Sequence, residues 1–312
     1  MEPKYIFIVG LPRTGTKLMM NLLENYQEKR CYITVENFFL GRFLKPGVRQ
    51  KIKHFGTMSQ DTNVKNLVDA MYNGQFFGEY WKKLANGQLN VDKNLMLQAL
   101  LRSDRSDKAI YSTLLRIHTG VPNDNLENVI FGDKSGPHLY YVPVLLEWFP
   151  EAKVVHTFRD PRAVLASEHK KLLNKMDRQI KKAKSLQALL LKLIKPFYSI
   201  IIVLYITTTW LYAARLHARY KQKYPTQYYL SKFEDLITQP EKSVRKLCQF
   251  LEIEFHPDML EPPKIDSSYA KTSGTGFDTQ TLNRWQFYLQ PWMSGWLLFW
   301  GKKYLKEFNY IQ

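Results

Sequence analysis

Two short stretches hold residues whose types and spacing suit the binding of anions. In residues 4–18 an apolar run, Tyr5-Ile6-Phe7-Ile8-Val9, leads into Gly10-Leu11-Pro12-Arg13-Thr14-Gly15 and then a helix start. In such a strand–loop–helix the backbone N–H groups converge and the helix dipole adds positive potential, so a phosphate-like group is well placed there. Arg13 adds a planar fork of donors. The phosphate-loop pattern G-x-x-x-x-G-K-[ST] is half met. Gly10 and Gly15 have the spacing, but Thr16 stands where the lysine belongs, and Lys17 comes one place late, followed by Leu18. No hydroxyl follows a lysine to hold Mg²⁺, so the loop reads as built for an anion that arrives without a metal. The plainer alternative is a strand, turn and helix with no ligand.

Residues 152–169 form the second stretch. An apolar run ends at Arg159, and Pro161 stands where the first turn of a helix tolerates it. Arg159 is then at the carboxyl end of a strand, where ligands bind in open α/β sheets. Ser167 lies two helical turns beyond Asp160 and can face the same crevice. An arginine and a serine converging there suit a second phosphate. The plainer alternative is a surface arginine in an αβ connection.

The elements that position these residues follow from short apolar runs rich in Val, Ile, Tyr and Phe. Strands are expected at 4–10, 31–35, 128–132, 152–158 and 227–231. Helical patterns are expected at 15–27, 138–149, 161–174 and 240–252. Strands alternating with helices imply a parallel sheet covered on both faces. Residues 60–120 have helical periodicity with few strand signals and read as part of a helical insert at about 40–125. The expected architecture is one α/β domain over 1–312, with a parallel sheet like that of the P-loop NTPases, flanked by helices, plus that insert. No internal repeat is present.

Composition narrows the partners. The chain has 312 residues, is 45% hydrophobic and carries a formal charge of +17. That charge favours anionic partners, but no nucleic-acid module is recognisable and none is expected. Cys31 and Cys248 are too few for a disulfide framework and read as reduced core thiols. No signal peptide is read before the first strand, so a cytoplasmic location is expected, peripheral at a membrane if the following segment docks. Residues 170–195 carry nine Lys/Arg against Asp177, followed by an uncharged run from Pro196 to Ala214. The run is long enough to span a bilayer. Pro196 opens it, however, and Thr207-Thr208-Thr209 interrupts it, so it reads as a buried helix. Membrane-surface docking through 170–214 is the alternative.

In order along the chain, these motifs resemble the sulfotransferases that use 3′-phosphoadenosine 5′-phosphosulfate (PAPS). The loop of that family reads Pro-[Arg/Lys]-Ser-Gly-Thr-Thr-[Leu/Trp], against Pro12-Arg13-Thr14-Gly15-Thr16-Lys17-Leu18 here. Thr14 and Lys17 depart from it. The family's 3′-phosphate motif, an arginine at a strand end with a serine eight residues later, is similar to Arg159 and Ser167. Val129–Pro137 resembles a strand–loop that carries a lysine in Golgi-type and many bacterial members, and Tyr228–Leu236 resembles the family's late strand and Glu-Asp-Leu turn.

The resemblance implies sulfuryl transfer from PAPS to an acceptor hydroxyl, on a carbohydrate, lipid, peptide or metabolite, with no metal. Part of the basic charge then serves the nucleotide. It implies that Arg13, Thr14, Gly15, Thr16, Lys17 and Leu18 hold the 5′-phosphosulfate, and Arg159 and Ser167 the 3′-phosphate. By the same resemblance Lys271 and Ser273, in a late Ser/Gly loop, are candidates to close over the 3′-phosphate or adenine. Lys134 and Arg13 stabilise the transferring group. Glu36, which follows the second strand, is the expected base, with His118 as its rival; His138 begins a helix. A nucleotide or small-molecule kinase is the alternative enzyme, opposed by the misplaced lysine. A non-catalytic, membrane-associated nucleotide binder is opposed by the joint presence of Arg13, Lys134, Arg159 and Ser167.

Overall fold

The computed structural model describes residues 4–25, 31–89, 91–117, 129–264 and 274–312. Among these the strands are β1 Lys4–Gly10, β2 Cys31–Val35, β3 Gly41–Arg42, β4 Lys45–Pro46, β5 Ile130–Lys134, β6 Lys153–Phe158 and β7 Tyr228–Lys232. The first helices are α1 Thr16–Glu24, α2 Val48–Ile52, α3 Asp61–Tyr72, α4 Glu79–Ala85, α5 Lys93–Arg102, α6 Asp107–Arg116 and α7 Val142–Trp148. They are followed by α8 Pro161–Lys182, α9 Ser185–Lys223, α10 Phe233–Thr238, α11 Pro240–Leu251, α12 Trp285–Tyr288 and α13 Pro291–Glu307.

The chain forms two compact units. One holds the chain up to Gly10 with Leu23–His156 and Thr226–Tyr229; the other holds Leu11–Leu22, Thr157–Pro225 and Leu230–Gln312. The five-stranded sheet has the order β2-β5-β1-β6-β7. Its strands β1, β2 and β5 lie in the first unit, and β6 and β7 start there. β5 pairs in parallel with both β1 and β2, with Ile8 and Val35 each opposite Lys134. β1 is buried without interruption from Ile6 to Gly10, as expected of a parallel strand covered on both faces.

The first unit also contains the helical insert. Helices α3 to α6 fall inside the periodic region and bury Trp81, Tyr80 and Tyr111 almost completely. Asp92 caps α5 by accepting from the Leu95 amide, and Ser106 caps α6 by accepting from that of Ala109. The helix expected at 138–149 is split into a 3₁₀ turn, Gly136–Tyr141, and α7. Pro137 and Pro143 account for this, since each removes a donor and neither continues a helix already under way.

In the second unit α8 runs to Lys182, beyond the expected 174, and α9 has 39 residues. The helix passes through position 196 rather than opening there. A proline inside a helix costs about 3 kcal/mol. Burial of Ile202, Val203, Ile206 and Trp210 offsets this at roughly 1.5–3 kcal/mol for each large apolar side chain. The threonines that interrupt the apolar run lie within the helix. Thr207, Thr208 and Thr209 donate their hydroxyls to the carbonyls of Val203, Leu204 and Tyr205 at 2.6–2.7 Å and are satisfied in place. The expected buried helix is buried on one side only, because Ile200, Ile201 and Leu204 are exposed.

Candidate active site

The first part of the site is the loop between β1 and α1. Arg13 has φ 70° and Gly15 φ 97°. Gly15 also packs so close to Phe233 that a Cβ would stand 2.7 Å from the ring, so only glycine fits. The first bond of the helix runs from the Met19 amide to the Gly15 carbonyl at 2.9 Å. The amides of Thr16, Lys17 and Leu18 therefore precede any intrahelical acceptor, which is the arrangement that holds anions. The Thr14 hydroxyl faces inward, donating to the Leu11 carbonyl at 2.7 Å and bonding Thr157 Oγ1 at 2.8 Å. The Leu18 side chain is buried and Lys17 is exposed. Thr14 thus shapes the loop, and Leu18 can offer only its amide.

A cavity of about 50 Å³ lies beside this loop, lined by Arg13, Arg159, Ser167, Arg284 and Trp285 with Ala163 and Thr281. Arg13 Nε donates to Ser167 Oγ at 2.8 Å. Arg159 follows β6 and donates to the Arg13 carbonyl at 3.2 Å and the Thr281 carbonyl at 2.8 Å. Its guanidinium lies 4.1 Å over the Phe233 ring. Arg284 Nη2 pairs with Asp278 at 2.8 Å, while its Nη1 is buried with no hydrogen-bond partner among the described residues. Three arginines, Ser167 and Thr281 thus line a space the size of a small anion, with one buried donor unmet among the described residues. Such a donor set fits a phosphate. At the start of α8, Glu234 accepts from the Asp160 amide at 2.9 Å and the Tyr310 hydroxyl at 3.0 Å, and burial raises its carboxyl above the usual range.

The first unit holds the other residues. Lys134 is the last residue of β5 rather than the residue after it, and Glu36 follows β2. The Glu36 amide donates to the Lys134 carbonyl at 3.0 Å, and Lys134 Nζ meets Glu36 Oε1 at 3.2 Å. The Lys134 side chain is 5% exposed and that of Glu36 43%, so the carboxylate is open to a substrate while the ammonium is sheltered. Glu36 has φ 51° and Phe38 φ 49°. Gly78, at φ 144°, packs against the Glu36 carbonyl where no Cβ fits.

A closed network holds this turn. Asp133 Oδ1 accepts from Thr34, Asn37 and Ser135 at 2.8–3.0 Å. Its Oδ2 accepts from the Tyr111 hydroxyl at 3.0 Å and lies 2.9 Å from His138 Nδ1. His138 Nε2 accepts the Leu40 amide, which assigns the imidazole proton to Nδ1, towards Asp133. Burial and the Asp133 charge push the Tyr111 phenol well above its ordinary value. His138 therefore does more than begin a turn: it braces Asp133.

The sequence placed Arg13 with the 5′ loop and Arg159 with Ser167; the structure brings all three to one cavity, and separately pairs Glu36 with Lys134. The guanidinium of Arg13 goes to Ser167 and the cavity, although its backbone belongs to the loop. His118, Lys271 and Ser273 lie outside the described residues. Arg284 was missed. Its only signal in the sequence is a basic residue next to Trp285 in a late polar loop.

Sheet, loop and arginine cavity together define an α/β protein with a phosphate-type strand–loop–helix. The model of the sulfotransferase family matches residues 3–257, and the chain belongs to that family. No curated protein matches it significantly. Among solved structures it is similar to the sulfotransferase domain from the curacin biosynthetic pathway, at 18% identity and TM-score 0.53, over 95% of this chain and 96% of that one. It is also similar to the sulfotransferase domain of the olefin synthase of Synechococcus PCC 7002, at 16% identity and TM-score 0.52, over 94% and 92% of the two chains.

Proposed function

We propose that the protein transfers a sulfuryl group from PAPS to an acceptor hydroxyl. The observation that carries this is the cavity where Arg13, Arg159, Arg284 and Ser167 converge and where, among the described residues, a buried guanidinium nitrogen has no partner. The amides of residues 15–18 take the 5′ end of the nucleotide, with Lys17 adding charge at the helix start. Ser167, Arg159 and Arg284 take the 3′-phosphate, and Arg13 links the two groups of residues. Bound PAPS supplies the transferable sulfuryl group. Glu36 accepts the acceptor's proton, since its carboxylate is open and its backbone fixed. Lys134 keeps that carboxylate oriented.

A thermal-shift series tests the reading. 3′-Phosphoadenosine 5′-phosphate should stabilise the protein without added metal, and AMP should stabilise it much less. Stabilisation by ATP-Mg²⁺ and not by the bisphosphate would overturn the assignment in favour of a kinase.

A further inference from the structure

Helices α8 and α9 form a hairpin whose outer surface plays no part in the chemistry above. Along α9, Leu186, Leu190, Leu193, Phe197, Ile201 and Leu204 recur at steps of three and four and are 44–72% exposed. They form one apolar stripe about 27 Å long at 1.5 Å per residue. The opposite face of the same helix is occupied, because Ile202, Val203 and Ile206 pack with Val164 and Leu165 of α8 and with Met293 and Leu297 of α13. The stripe is therefore surplus to the core. Large exposed apolar surfaces of this kind mark interaction sites.

Charge identifies the occupant. On α8, Lys171, Lys175, Arg178 and Lys182 are exposed, at intervals that place them on one face. Asp177, the single acid of residues 170–195, is already paired with Lys195 at 2.7 Å, and Lys171 meets Glu168 at 3.5 Å, which leaves Lys175, Arg178 and Lys182 as the free-standing charge of this face. A second copy of the chain would bring the same positive charge against this one, which like-charge repulsion opposes. On α13, Trp292 and Trp300 are 45% and 54% exposed, and indoles favour the boundary between water and lipid. By length and composition Phe197–Lys223 would also cross a membrane. Its packed inner face favours lying on the surface instead.

We propose that the α8–α9 hairpin docks the protein onto an anionic lipid surface, the α9 stripe entering the acyl boundary while the α8 lysines meet the headgroups. This stands independently of the reaction assigned above. The test is co-sedimentation of the full chain with vesicles of phosphatidylcholine and phosphatidylserine in equal parts, against phosphatidylcholine alone. Binding should require phosphatidylserine and weaken with salt. The double variant Leu193→Glu, Phe197→Glu should abolish it. Lys175→Ala and Lys182→Ala should each lower it about five-fold. All variants should melt like the parent, because the changed side chains are exposed. Equal binding to both vesicle types, or unchanged binding by the Leu193/Phe197 variant, would overturn the proposal. So would a dimer in light scattering that the Leu193/Phe197 variant converts to monomer while vesicle binding persists.

Discussion

The arginine cavity and the Glu36–Lys134 turn place charged groups in opposite ways. Around the cavity three guanidinium groups gather beside the hydroxyl of Ser167, and among the described residues Arg284 Nη1 is buried with no hydrogen-bond partner. An unmet buried donor costs about 1–3 kcal/mol, which an arriving anion recovers. Around Asp133 the opposite holds. Thr34, Asn37, Ser135, Tyr111 and His138 all converge on one carboxylate. A satisfied buried network adds rigidity. One region is prepared to receive charge and the other to hold a geometry. Both place a non-glycine residue at positive φ, Arg13 at 70° and Glu36 at 51°, a strain of about 1–3 kcal/mol that such surroundings sustain.

The contrast can be broken experimentally. Glu36→Gln keeps size and removes basicity, so turnover should fall by roughly 10²–10⁴-fold while bisphosphate affinity stays near the parent value by calorimetry. Full turnover in Glu36→Gln with loss in His118→Asn would move the base to the histidine. Asp133→Asn should act on folding instead, because the new amide sets donors against donors. A loss of about 1–3 kcal/mol in urea unfolding is expected, the usual cost of a buried donor left unmet.

In the cavity the effect should be on affinity and selective for one phosphate. Arg159→Ala and Arg284→Ala should each weaken binding of 3′-phosphoadenosine 5′-phosphate by about 10–100-fold, the worth of a charged hydrogen bond. Binding of AMP should change little. Equal losses for both ligands would remove these arginines from the 3′-phosphate. The smallest effect lies outside both regions. Burial, with the Lys221 charge beside it, lowers His217 from 6.5 to about 4. The unfolded chain then takes up a proton between pH 6.5 and 4 that the native state refuses. Stability should fall across that window as pH drops, and His217→Phe should flatten the decline in melting temperature.

The receiving region was the more legible of the two in the sequence. Arg13, Gly15, Arg159 and Ser167 stand at a strand end, in a tight loop and on a helix start, which are local features. Arg284 was not legible, because it reaches the cavity from a turn with no periodicity. The five sheet strands were readable from their apolar runs, whereas the two-residue strands β3 and β4 are too short to leave such a pattern. Asp133 was visible as a residue but its role was not, since its five partners come from three separate segments, 34–37, 111 and 135–138. A helix through 196–214 was legible from its apolar composition, whereas which of its faces would be covered was not, since that depends on packing against α8 and α13.

Trp285 offers an optical handle on all of this. It lines the arginine cavity, and the Arg162 guanidinium lies 4.4 Å over its ring. A dianion entering the cavity changes the electric field at that indole, so intrinsic emission reports occupancy without a label. Of the seven tryptophans in the chain, this is the one among the residues lining the cavity. Trp285→Phe should therefore silence the binding signal while leaving the bulk of the fluorescence in place.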